Sequence, residues 1–99
     1  QANCLAIARE IAGLLVDEGR QPFIACLHKE EIRAGNTFHY PLIPKKYKGR
    51  ITWTKHYVCC CEGMVYDPML EEPVPIELYS NTVFGEDFPI ERVEGSMGD

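Results

Sequence analysis

Three residues of this chain are of the types a nucleophilic thiol site needs. Cys4 stands near the start, and His56 and Asp67 fall in the stretch HYVCCCEGMVYDP, residues 56 to 68. The thiolate is the attacking species. It needs a base to hold its proton, and the base needs a partner to orient it. Cys4 falls in the first turn of a helix expected over residues 3–18. Unpaired N–H groups and the positive end of the macrodipole stabilise a thiolate there. Taken alone, Cys4 also reads as a small buried residue, as most free cysteines are.

Whether His56 and Asp67 meet depends on the turn between them. With Glu62-Gly63 as a two-residue turn, Cys61 opposes Met64, Cys60 opposes Val65 and Val58 opposes Asp67. His56 is two residues from Val58 and shares its face, which makes it a diagonal neighbour of Asp67. A four-residue turn keeps that register, whereas a three-residue turn puts the two on opposite faces. An Asp accepting from the imidazole fixes its tautomer and favours its charged form. Singly, His56 reads as a strand histidine facing water, and Asp67, followed by Pro68, as a turn starter. The conjunction of all three residues carries the nucleophilic reading. By the same count Cys60 lies on the His56 side, while Cys59 and Cys61 face the other way. All three read as compact hydrophobes rather than working groups.

The elements that must position these residues follow from pattern. In NCLAIAREIAGLLVDE, Asn3 suits an N-cap, and Leu5, Ala8, Ile11, Ala12 and Leu15 recur at helical spacing. Gly13 weakens the middle by roughly 1 kcal/mol relative to Ala, which suggests room for another element. Gly19 is a natural stop. After Pro22, FIACL reads as a short buried strand. Residues 28–50 are mixed, with AGNT as a turn and IPKKYKGR as a polar link. Residues 51–61 read as a strand and MVYD as its return. Pro75 suits the first position of a short helix, PIELYSNTVF, ended by Gly85. One domain is expected over residues 1–93, with a disordered tail over 94–99. The fold class is α+β, an N-terminal helix packed on a small antiparallel sheet.

Composition bounds the rest. Of the 99 residues, 45% are hydrophobic and 25% charged, as in a globular protein. The net charge of −5 argues against nucleic acid, since phosphate contacts need a basic surface. No apolar run approaches the ~20 residues of a membrane span, and no signal peptide is visible. The chain opens at Gln1 without Met, as a processed product or a piece of a longer chain would. Five cysteines are an odd count, which argues against a complete disulfide framework. No C-x-x-C offers a zinc site, and no metal or cofactor is expected. The thiols read as reduced, which favours a reducing compartment such as cytoplasm. A metal site from His56, His39 and the thiols is a minor alternative. His28 and His39 have no obvious partner and read as surface residues. The stretch KKYKGR with Trp53 suggests charge and stacking on nucleic acid, but in so acidic a chain it reads as a solvated loop, as do Glu71 and Glu72.

The helix opening with NC, together with HYVCCCEGMVYDP, resembles the papain-like cysteine-hydrolase superfamily, in particular the small papain-fold toxin domains of bacterial polymorphic toxins. The following PVPIELYSNTVFG resembles the Pro-led helix that often comes next in them. The resemblance spans Asn3 to about Gly85. It implies a papain-like fold with Cys4 as nucleophile, His56 as general base and acid, and Asp67 as orienter. The reaction implied is hydrolysis of an amide through a thioester, at a peptide bond or a glutamine side chain. A toxin or effector acting in the cytoplasm of a target cell would have a protein or peptide substrate and a neutralising immunity protein as partners. The family usually carries an oxyanion-hole Gln several residues before the Cys. Gln1, three residues ahead, is the candidate here, with the Cys4 backbone N–H as a further donor. Two other readings stay open. One is a transglutaminase-type acyl transferase using the same triad. The other is a non-catalytic interaction domain that keeps the fold.

Overall fold

The computed structural model describes residues 3–87 and 89–94. It is an α+β fold in which a five-stranded antiparallel sheet is covered on both faces. The first helix, α1, runs Cys4–Asp17 and buries Ala8, Ala12 and Leu15. Asn3 occupies the cap position, but its side chain makes no capping bond; its carbonyl accepts from the Ile7 N–H at 2.9 Å. The helix ends where Gly19 turns left-handed (φ 82°) and the Arg20 N–H returns to the Leu15 carbonyl at 3.0 Å. Nothing lies within 4 Å of where a Cβ on Gly13 would sit. Gly13 therefore serves no close approach, contrary to the sequence expectation.

The strands are β1 (Phe23–Leu27), β2 (Lys29–Arg33), β3 (Asn36–Tyr40), β4 (His56–Cys61), β5 (Met64–Tyr66), β6 (Val74–Pro75) and β7 (Ile90–Glu94). The main sheet has the order β6-β5-β4-β1-β7, and β2 with β3 forms a separate hairpin. In the β4–β5 hairpin Cys61 pairs with Met64, Cys60 with Val65 and Cys59 with Tyr66. Glu62 (φ 53°) and Gly63 (φ 81°) are both left-handed, as a two-residue turn matching the strand twist requires.

Alternation along β4 feeds two cores. Cys59 and Cys61 join Ile24, Ala8, Ala12 and Leu15 beneath α1. Val58 and Cys60 join Ala25, Leu27 and Val65 on the other face, which is covered by the second helix, α2 (Ile76–Phe84), and by Leu42 and Trp53. A strand covered on both sides has no polar face to show, which is why three cysteines can follow one another. Each large apolar side chain sealed here, such as Ile24 or Leu27, contributes about 1.5–3 kcal/mol. The Ile76 N–H donates to the Gly63 carbonyl at 2.9 Å, tying the start of α2 to the hairpin turn.

Several expectations are corrected. The strand expected over 51–61 begins only at His56. On one continuous strand, Trp53 and His56, three apart, would point to opposite faces. Here their rings stack, so the chain leaves strand geometry between them, and Trp53 is instead bridged to Leu42. Residues 29–40, expected as mixed structure with a turn at AGNT, form a regular hairpin whose turn is Ala34-Gly35, within that stretch. Pro75 caps α2 rather than opening it. The end of the chain was not expected to pair, yet β7 lies along β1 up to Glu94; residues 95–99 of the expected tail lie outside the described residues. Among the described residues no helix is long and apolar enough to cross a membrane.

Candidate active site

The I′-type turn sets the geometry. With the two-residue register in place, His56, Val58 and Cys60 share the α2 face of β4, and Asp67 follows directly after β5. His56 Nε2 and Asp67 Oδ2 lie 2.9 Å apart, and both residues are buried. Asp67 also begins a turn, so its two readings coexist. Its Oδ1 accepts from the Met69 N–H at 3.0 Å, and its carbonyl accepts from the Leu70 N–H at 2.8 Å. The Tyr79 O–H donates to the same Oδ2 that faces His56.

These donors decide the charge. Burial pushes the Asp67 carboxyl up. The hydrogen bonds from His56, Tyr79 and the Met69 N–H together outweigh it and hold the group below its ordinary value. Burial, followed by the neighbouring carboxylate, pushes the Tyr79 phenol far up, so it stays a donor. An ionised carboxylate only accepts. The proton between the pair therefore sits on His56 Nε2, and in the neutral imidazole Nδ1 carries a lone pair. Nδ1 is buried without a hydrogen-bond partner. Trp53 stacks on the ring with centroids 4.4 Å apart and planes 17° apart, while Phe84 meets it edge-on at 6.5 Å. The imidazole is thus gripped on its face, on its edge and at one nitrogen.

Cys4 is the first residue of α1, half-buried and free. Helix α1 covers the face opposite His56, yet Cys4 and His56 come to one cleft, because each stands at the first position of its element. The cleft measures about 300 Å³, and Tyr47, Trp53, Tyr66 and Met69 contribute to its walls. No hydrogen bond joins the Cys4 thiol to Nδ1. The first N–H groups of α1 have no partner within the helix. Gln1, the candidate oxyanion-hole residue, lies outside the described residues.

No protein-family model, curated protein or solved structure matches the chain. What the site can do is therefore read from its own groups.

The other thiols are set apart from Cys4. Cys26, Cys59, Cys60 and Cys61 are buried. Burial pushes Cys59 up to about 11 and Cys60 up to about 12, and raises Cys26 as well. Among the described residues no group of three His, Cys, Asp or Glu is placed to hold a metal ion, so the alternative built on His56, His39 and the thiols has no site there. His28 and His39 do have partners: Glu91 at 3.2 Å from His28, and Glu30 at 3.4 Å from His39. Trp53 is 4% exposed and packed against Tyr47, so it offers no free face for stacking a base. Glu71 and Glu72 are exposed.

Two members of the site escaped the sequence reading. Tyr79 sits among the apolar residues of α2, and nothing in their spacing marks its hydroxyl as reaching Asp67. Trp53 is an odd number of residues from His56, and within the single strand expected over 51–61 the two would face opposite sides.

Proposed function

We propose that this chain is a cysteine-dependent amide hydrolase of the papain-like kind, with Cys4 as nucleophile, His56 as base and acid, and Asp67 as orienter. One observation carries the reading. A buried imidazole held at Nε2 by an ionised aspartate, with Nδ1 uncommitted, shares a cleft with a thiol at a helix N-terminus. His56 Nδ1 takes the Cys4 proton. The thiolate then attacks the amide carbonyl carbon, and the oxyanion is met by N–H groups at the start of α1. Collapse breaks the C–N bond. The imidazolium gives its proton to the departing nitrogen, leaving a thioester on Cys4. Water, deprotonated by His56, releases the acid and restores the thiol. With an amine in place of water, the same steps give transamidation.

The absence of a Cys4–His56 hydrogen bond favours a second reading, an interaction domain that keeps the fold without turnover. The test is incubation of the protein and of Cys4→Ala with a cell lysate, compared by mass spectrometry. New peptide termini identify a protease, glutamine converted to glutamate a deamidase, and cross-links a transamidase. Identical products from wild type and Cys4→Ala reject the hydrolase reading.

A further inference from the structure

The cleft has one uncommitted charge on its wall. Asp67 is fully occupied by His56, Tyr79 and the Met69 N–H. The remaining wall is largely apolar and aromatic, with Ile7, Tyr47, Tyr57, Tyr66 and Met69 among its residues. Lys46 is the cation among the lining residues, and it is exposed.

Lys46 belongs to a segment in which cations without an ion pair cluster; Lys55, also without one among the described residues, stands apart from it in sequence. Arg20, Lys29 and Arg33 each lie against a glutamate. Among the described residues Lys46, Lys48 and Arg50 have no ion pair at all. Lys45 is accounted for separately. Its aliphatic stem lies against Gly85, at the C-terminal end of α2, where a cation suits the helix dipole. The segment is built rather than loose. Pro44 is buried at its start, Lys45–Tyr47 form a single 3-10 turn, and Tyr47 packs edge-on against Trp53. The Lys48 and Arg50 N–H groups return to the carbonyls of Lys45 and Tyr47, both at 3.0 Å. In a chain of net charge −5 this is a local positive ledge beside an apolar cleft.

We infer that the cleft takes an acidic peptide segment, an apolar residue seated against the aromatic wall and carboxylates set against Lys46 and the Lys48–Arg50 stretch behind it. This rests on the hydrolase reading for its outcome, but the docking can be measured without turnover. The chain as a whole carries a net charge of −5, so a local positive ledge favours where an acidic peptide lands as well as how well it binds. Each exposed charge pair is weak, so several carboxylates must act together.

The test uses Cys4→Ala protein and two fluorescein-labelled nonapeptides centred on Leu-Gln-Gly, one flanked by Glu and one by Lys, with binding followed by anisotropy at low and at high salt. The Glu peptide should bind roughly tenfold tighter at low salt, and the preference should shrink as salt screens it. Lys46→Glu should reduce binding of the Glu peptide by roughly fivefold or more, since it turns attraction into repulsion. Arg33→Glu, on the separate hairpin, should not change it. Equal affinity for both peptides, no binding of either, or indifference to Lys46→Glu overturns the inference. So does a single-stranded oligonucleotide that binds tighter than the Glu peptide. Wild-type turnover separates the two proposals. Binding of the Glu peptide without cleavage or deamidation keeps the ledge and removes the hydrolase, while turnover blind to flanking charge does the reverse.

Discussion

Tyr79→Phe isolates one hydrogen bond and little else. The ring stays in its fully buried slot, and only the hydroxyl that donates to Asp67 Oδ2 is lost. A hydrogen bond to a charged acceptor contributes about 1.5–3 kcal/mol. Oδ2 keeps His56 and Oδ1 keeps the Met69 N–H, so no acceptor is orphaned, and a net loss of about 1–2 kcal/mol is expected. For a domain of this size that lowers Tm by roughly 5–15 °C. Burial area alone predicts the opposite sign, because Phe is the more apolar residue. The pH dependence sharpens the test. A carboxyl whose folded value is depressed contributes stability that is present above its unfolded value, about 3.9, and lost as pH falls. Asp67 is such a group, and Tyr79 is one cause of the depression. The gap between wild type and Tyr79→Phe should therefore be full at pH 7 and narrow below about pH 4, read from urea unfolding at each pH. Tyr79→Phe should also shift the pH profile of Cys4 alkylation, and the shift should vanish in an Asp67→Asn background, since Tyr79 acts only through Asp67. An unchanged Tm together with an unchanged profile refutes the reasoning and leaves Tyr79 an ordinary core residue.

Asp67→Asn should keep the fold and cut turnover roughly 10³- to 10⁴-fold, because Asn can hold the wrong tautomer and cannot support imidazolium; wild-type rates from the purified variant would reduce Asp67 to a turn residue. Limited iodoacetamide near neutral pH should label Cys4 first. It is the one partly exposed thiol, and burial holds Cys26, Cys59 and Cys60 protonated; peptide mapping that finds Cys59–Cys61 modified first contradicts this. Folding raises Cys59 to about 11 and Cys60 to about 12, so the unfolded chain gives up these protons first, from about pH 8.5 upward. Stability should fall with rising pH in that window by up to about 1.4 kcal/mol per pH unit per thiol, and a Cys59→Ala/Cys60→Ala variant should show a shallower fall in urea titrations at pH 8 and pH 10.

What the sequence made legible was governed by short-range rules. A turn of Glu62-Gly63 between apolar strands fixes a register, and the register fixes which side chains share a face, so the approach of His56 to Asp67 follows from counting. Helix α1 is equally local, with an apolar stripe closed by a glycine. The hairpin strands β2 and β3 and the edge strand β7 were not legible, because KEEIR, NTFHY and the described side chains of β7 are largely exposed and carry no buried face to alternate with. Trp53 and Tyr79 were hidden for a different reason. Each reaches the site from a segment whose path is set by long-range packing, Trp53 through its bridge to Leu42 and Tyr79 through the seating of α2 on the sheet.

That contrast bears on how the site is built. Every contact that sets the state of His56 comes from the α2 side of the sheet: Asp67 at Nε2, Trp53 on the ring face, Phe84 at the edge, and Tyr79 behind Asp67. Cys4 comes from the α1 side, whose core shares no buried residue with the other. In the proposed triad, His56 and Asp67 are therefore assembled by one core and the Cys4 thiol is delivered by the second, with β4 as the wall between them. A substitution deep in the α1 core, such as Ala12→Gly, should then shift Cys4 relative to the cleft while leaving the His56–Asp67 pair intact. A substitution under α2, such as Val83→Ala, should disturb the pair and leave the thiol accessible. The adjacent cysteines belong to this division. Cys59 and Cys61 pack against α1 while Cys60 packs on the His56 side, so the run that looks most like a reactive cluster is the seam holding the two halves in register.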